Sequence, residues 1–150
     1  MKISYDKIKS IFPEFNISQL TEELFWRTAK HNKIIVQQEP LLVDGYYTRK
    51  KGKHMILIDS RLTGLKWLHT AWHEVFHFFL DVPPGKGDVR FNRSRLQIRT
   101  KQELTVDALA VIAIIPYPDL EKYQAEDLTD NYELSRAVGD RVVVKAEYRY

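Results

Sequence analysis

The spacing of apolar residues changes from helical to strand-like in the first half of the chain. Residues 16–31 carry apolar side chains at the helical period, which predicts an amphipathic helix capped by Asn16 or Ser18. Segments rich in β-branched and aromatic residues follow and predict strands at 33–38, 41–48 and 54–60. The polar stretch RKKGK suits a hairpin loop between the second and third strands, and Asp44 and Gly45 predict a bulge or turn. We therefore expect a small, mostly antiparallel three-stranded sheet.

Two more strongly apolar segments follow this sheet and predict helices. Ser60 or Thr63 can cap the first helix, which should end near Asp81, before PPGKG. The second helix should run from about Thr100 to Ile115, and its second half is apolar on nearly every side. A helix that is apolar all round belongs in a core. The sequence thus predicts an α+β fold, a sheet packed on helices, as a single domain over residues 1–150.

The composition narrows the chemistry that this domain can perform. The chain has 150 residues, 44% of them hydrophobic and 29% charged, as in ordinary globular proteins. It contains no cysteine, so any transition metal must be held by imidazole and carboxylate groups. No apolar run approaches the roughly 20 residues of a membrane span, and the N-terminus lacks a secretory signal, which predicts a cytoplasmic protein.

One short motif in the first of these helices carries specific chemistry. In HTAWHEVFH, residues His73, Glu74 and His77 have the spacing H-E-x-x-H. Two imidazoles four residues apart lie about 6 Å apart along a helix axis and can converge on one zinc ion. Glu74 then lies beside the ion, where a general base must be. The pattern arises by chance in roughly one shuffled sequence in a hundred, so a zinc site is favoured over a buried helix with incidental histidines.

A third histidine, His69, completes a row with His73 and His77. It lies about 12 Å along the axis from His77, too far for all three rings to reach one ion. We expect His69 at the rim of the site or on the surface.

A catalytic zinc site needs a third protein ligand and an open position for water. The extended motif H-E-x-x-H-x-x-G-x-x-H is absent, because Leu80 and Pro83 occupy its last two positions. Glu103 is the best candidate, since Asp107 follows one turn later on the same face and leads into an apolar run. We expect Glu103 to bind the metal and Asp107 to accept a ring N–H from a histidine, with Asp107 as the alternative ligand.

These pieces together resemble the ImmA/IrrE family of zinc metallopeptidases. The resemblance covers about residues 40–118: a DGYY strand, an HMILID strand, a helix with HEVFH, and E-x-x-x-D leading to an apolar stretch that ends in proline. It implies a zincin-like fold with H-E-x-x-H on a core helix and a gluzincin-like ligand set. It also implies a helix-turn-helix repressor as the substrate. The chain lacks the glycine common before the second histidine, where it has Phe76.

The expected function is zinc-dependent hydrolysis of a peptide bond in a protein, with Glu74 taking a proton from water. The substrate is expected to add a strand at an exposed sheet edge, for which residues 54–60 are the candidate. Two alternatives remain open. One is a non-catalytic, zinc-stabilised module that binds a repressor, and the other is a small nucleic-acid-binding domain using the basic residues between 86 and 101. For the expected hydrolase we predict neither a membrane partner nor direct nucleic-acid binding.

Overall fold

The computed structural model describes residues 2–80 and 101–122, which form an α+β fold. Its elements in chain order are α1 (Lys2–Ile11), α2 (Glu22–His31), β1 (Ile34–Glu39), β2 (Gly45–Lys50), β3 (Lys53–Asp59), α3 (Gly64–Phe79), α4 (Lys101–Ile114) and a 3-10 helix (Tyr117–Lys122). The predicted α+β class is confirmed for this part of the chain. No helix in it is long and apolar enough to span a membrane.

The sheet is mixed, with the strand order β1-β3-β2. The predicted hairpin is confirmed: β2 and β3 are antiparallel, and Lys51 and Gly52 turn between them with positive φ. The expectation of a mostly antiparallel sheet is wrong, because β1 pairs with β3 in parallel. Strands β1 and β3 run in the same direction, and β2 runs in the opposite one. Because β3 lies between β1 and β2, the sheet has one parallel and one antiparallel pair. The expected edge strand at 54–60 is also wrong, since β3 is paired on both sides.

The connection between β1 and β2 is held by the end of β3. The Asp59 carboxylate accepts hydrogen bonds from Arg61 Nε at 3.0 Å and from the Leu41 N–H at 3.4 Å, and Arg61 also donates to the Leu41 carbonyl. The hydrogen bond from Arg61 is the main reason that the pKa of Asp59 is lowered. These contacts hold the segment between β1 and β2, which connects the two edges of the sheet, against the end of β3.

Two features of the first helices differ from expectation. The helix predicted at 16–31 begins only at Glu22, and its cap is Thr21, whose hydroxyl accepts the Leu24 N–H at 3.1 Å. Asn16 cannot serve as this cap because it lies in a preceding turn with a φ of 63°. A further helix, α1, was not predicted.

Helix α3 occupies the centre of the molecule, where β2, β3, α2 and α4 all pack against it. Aromatic side chains fill the space between it and the N-terminal segments: Trp72 lies edge-on to Phe12 with ring centroids 5.3 Å apart, and its indole N–H donates to the Leu20 carbonyl. Helix α4 is buried from Val106 to its end, which confirms it as a core helix. The two helices with the candidate ligands therefore lie in direct contact inside the core.

Gly45, the first residue of β2, permits the close approach of this strand to α3. A Cβ at this position would lie 2.7 Å from Thr70 Cγ2 and 2.8 Å from the Leu57 carbonyl oxygen. The same Cβ would lie 3.7 Å from Glu74 Cγ. The glycine is therefore needed for space, and it places the start of β2 beside the glutamate of the motif.

We expect Gly45→Ala to lower the free energy of unfolding by about 1–3 kcal/mol, because the added methyl group must displace α3 or the sheet. Urea denaturation measures this change. Gly45→Ala combined with Thr70→Ser should regain only part of the loss, since the contact with the Leu57 carbonyl remains. A Gly45→Ala protein as stable as the wild type would contradict the close approach.

Candidate metal centre

Helices α3 and α4 bring the predicted site residues together from separate parts of the chain. His73, Glu74 and His77 lie on α3 and are completely buried. Glu103 and Asp107 lie one turn apart on α4 and are 4% and 5% exposed. Because α3 is apolar on its other faces, its histidine row lies against the carboxylates of α4.

Three of these side chains could hold a metal ion. His73 Nε2 lies 2.9 Å from Glu103 Oε1, and His77 Nε2 lies 3.2 Å from Glu103 Oε2. One ligand atom from each residue lies within 4.8 Å of the others. The two imidazoles and the distant carboxylate thus converge, as the sequence led us to expect.

The arrangement of donor atoms fits a cation. Zinc bonds of about 2.0–2.1 Å in a tetrahedral site put neighbouring ligand atoms about 3.3 Å apart, close to the 2.9 and 3.2 Å between the histidine Nε2 atoms and the Glu103 oxygens. Both ring nitrogens of His77 are buried and make no hydrogen bond among the described residues. A buried imidazole nitrogen facing a carboxylate needs a proton or a metal ion between them. The cluster accordingly has the donors and the spacing of a metal site.

The electrostatics of the cluster favour the protonation states that bind metal. Burial lowers the pKa of His77, so its ring stays neutral at neutral pH despite the nearby carboxylate. Burial alone would raise the pKa of Glu103, but the His73 and His77 rings that face its two oxygens outweigh this effect, and the net shift is downward. A neutral imidazole and an ionised carboxylate are the forms that coordinate a metal ion.

Glu74 lies beside this cluster and contacts its first histidine. Its Oε2 is 2.8 Å from His73 Nδ1, and both side chains are buried. A carboxylate here accepts the Nδ1–H and so leaves the Nε2 lone pair directed at the cluster. The structure therefore shows a contact between Glu74 and a ligand histidine that the sequence did not predict, and the supporting role of Asp107 stays a prediction.

Asp107 lies between two histidines on the other side of the cluster. Its Oδ1 is 3.4 Å from His69 Nε2 and 3.8 Å from His73 Nε2. The expectation that His69 lies at the rim or on the surface is wrong, because α4 covers that face of α3 and leaves His69 only 8% exposed. His69 does not belong to the group that could hold the ion.

The role of Gly45 differs from the one that the sequence predicts. Asp44 and Gly45 predict a bulge or turn, whereas Gly45 begins an edge strand at a point where an added Cβ would lie 3.7 Å from Glu74 Cγ. Its position directly before the strand pattern YYT was the available signal. The basic residues between 86 and 99 lie outside the described residues.

Comparisons of the chain with protein-family models, with curated proteins and with solved structures found no match. The chemistry of the site is therefore inferred from its own residues.

We expect the purified protein to bind one equivalent of zinc, and His77→Ala and Glu103→Ala to abolish stoichiometric binding, because each removes one of three protein ligands. Elemental analysis after dialysis, together with titration by isothermal calorimetry, measures this. His31→Ala is the matched control, since His31 is an exposed histidine on α2. Zinc content that falls equally in the control, or is unchanged in the two ligand variants, would contradict the assignment.

Proposed function

We propose that the protein is a zinc-dependent endopeptidase that hydrolyses a peptide bond in a protein substrate. The observation that carries the proposal is the meeting of His73, His77 and Glu103 around one point with Glu74 beside them. Two imidazoles and one carboxylate form the three-ligand set that catalytic zinc sites use, with one position left for water or substrate.

The donor set favours zinc over magnesium and calcium. Magnesium and calcium take mainly oxygen ligands in larger numbers, whereas imidazole nitrogen suits zinc and its neighbours in the first transition row. When bound, zinc supplies a Lewis acid that polarises a carbonyl and makes water acidic enough to act near neutral pH.

Glu74 acts as the general base in this proposal. Its carboxylate follows His73 directly on α3 and lies against that ring. Rotation about its side-chain bonds exchanges the His73 contact for a water molecule. Glu74 takes a proton from this water as the water oxygen forms a bond to the carbonyl carbon of the peptide. It then gives this proton to the leaving nitrogen as the peptide bond breaks.

The substrate strand binds along β2. Of the described strands, β1 and β2 form the edges of the sheet, and β2 starts beside Glu74. An extended peptide that adds to this edge passes the site with its backbone held by hydrogen bonds. The resemblance to the ImmA/IrrE family supports a helix-turn-helix repressor in the cytoplasm as the protein that supplies this peptide.

A second candidate function is a non-catalytic, zinc-stabilised module that binds a repressor. The complete burial of Glu74 against His73 favours this alternative, because the same contact would serve to hold a structural ligand. In that case the metal ion contributes stability and the bound repressor stays intact.

Glu74→Gln separates the two functions. The amide oxygen can still accept the His73 Nδ1–H, so zinc content should be unchanged. An amide cannot take a proton, so hydrolysis should fall by a factor of about 10² to 10⁴. Proteolysis of a mixed peptide library, read by mass spectrometry beside zinc analysis, measures both.

The library should also be treated with the His77→Ala protein, which loses the metal and the activity together. A Glu74→Gln protein as active as the wild type would contradict the role of Glu74. A zinc-loaded wild type that cleaves nothing, yet binds a repressor only with metal, would support the binding module instead.

A further inference from the structure

We propose that the hairpin between β2 and β3 selects substrates with acidic residues on the N-terminal side of the cleaved bond, about four to six residues away. This inference rests on the proposed hydrolysis and names the substrate class. It combines two features of β2: the strand begins at the site and ends in a cluster of positive charge, the basic hairpin, formed by Arg49, Lys50, Lys51 and Lys53.

The basic hairpin is exposed and uncompensated. All four of its side chains are exposed, and none forms an ion pair within residues 2–80 and 101–122. The acidic residues of the sheet region lie at its opposite end, where Glu39 and Asp59 end β1 and β3 and Asp44 precedes β2. The positive charge of this edge is therefore concentrated at the end of β2 that lies away from Gly45.

The length of β2 sets the distance between the selected residues and the cleaved bond. Gly45 lies beside Glu74, and Lys50 is the last residue of the strand. Five steps of about 3.4 Å give roughly 17 Å between them. Arg49, Lys50 and Lys51 are four, five and six residues beyond Gly45. A substrate strand that pairs residue for residue thus places the residues four to six positions from the site beside the basic hairpin.

The direction of pairing sets the side of the cleaved bond. Antiparallel pairs are more common and slightly more stable than parallel pairs. In a substrate strand antiparallel to β2, the residues opposite Lys50 lie nearer the substrate N-terminus than the residues opposite Gly45. The acidic residues must therefore precede the cleaved bond in the substrate sequence.

The distribution of positive charge favours a peptide over a nucleic acid. A nucleic acid carries negative charge along its whole length, whereas the positive charge of this edge is confined to the end of β2 and the basic hairpin. A peptide that is acidic at one end only matches this distribution. Its charges also steer association, and this effect weakens with added salt.

A blocked, mixed-sequence 14-residue peptide library tests the inference. Cleaved bonds are read by mass spectrometry, and the frequency of Asp and Glu is scored at each position. The wild type should cleave peptides with two acidic residues at positions four to six before the bond roughly 3 to 30 times faster than neutral ones at low salt. The preference should largely vanish in 1 M salt, where the screening length is about 3 Å.

Charge reversal identifies the residues that carry the preference. Arg49→Glu with Lys50→Glu should abolish or invert it while neutral peptides are still cleaved. Arg27→Glu with Lys30→Glu is the matched control, because it changes the net charge equally at exposed positions of α2, which packs against the opposite edge strand β1. The control should keep the acidic preference.

The outcomes separate this inference from the proposed function. Cleavage with no acidic preference, or with a preference after the bond, would overturn the inference and leave the hydrolase. No cleavage by the zinc-loaded protein would overturn both. If the protein binds a mixed-sequence 20-base-pair DNA more tightly than it binds the acidic peptides, the basic hairpin is a nucleic-acid surface. That result would also overturn the inference.

Discussion

The candidate metal centre depends on the burial of two imidazoles against one carboxylate between α3 and α4. His73 and His77 are fully buried, and their Nε2 atoms face the two oxygens of Glu103. Such a group is costly in a core unless a proton or a cation lies between the nitrogens and the oxygens. This constraint links the packing of two core helices to the binding of a metal ion.

The surroundings of this group are arranged to support it. Glu74 holds the Nδ1 side of His73, and Asp107 lies within 4 Å of both His69 and His73. Gly45 lets the edge strand approach α3 so closely that its first residue lies beside Glu74. A peptide bound along that strand would therefore be presented to Glu74, a carboxylate that lies against a ligand histidine without being a ligand itself. The role proposed for Glu74 follows from its location between a ligand histidine and the start of β2.

The sequence predicted local features better than long-range ones. The histidine pair followed from helical spacing, and Glu103 followed from a carboxylate at the start of an apolar helix, because both depend on periodicity. The parallel pairing of β1 with β3 could not be predicted, because neighbours in a sheet are chosen by packing between distant segments. The burial of His69 could not be predicted for the same reason. Helical spacing places His69 in line with His73 and His77, but the helix that covers it, α4, begins more than 30 residues later in the chain. The start of α2 was misplaced because Asn16 and Thr21 are both good caps, and only the turn around Asn16 decides between them.

A crystal structure of the zinc-loaded protein, with anomalous diffraction recorded on both sides of the zinc absorption edge, tests the central claim most directly. We expect one strong anomalous peak between α3 and α4, about 2.0–2.2 Å from His73 Nε2, His77 Nε2 and a Glu103 oxygen. A protein that crystallises from excess zinc with no peak at these three atoms, or with its zinc at exposed side chains only, would contradict the account.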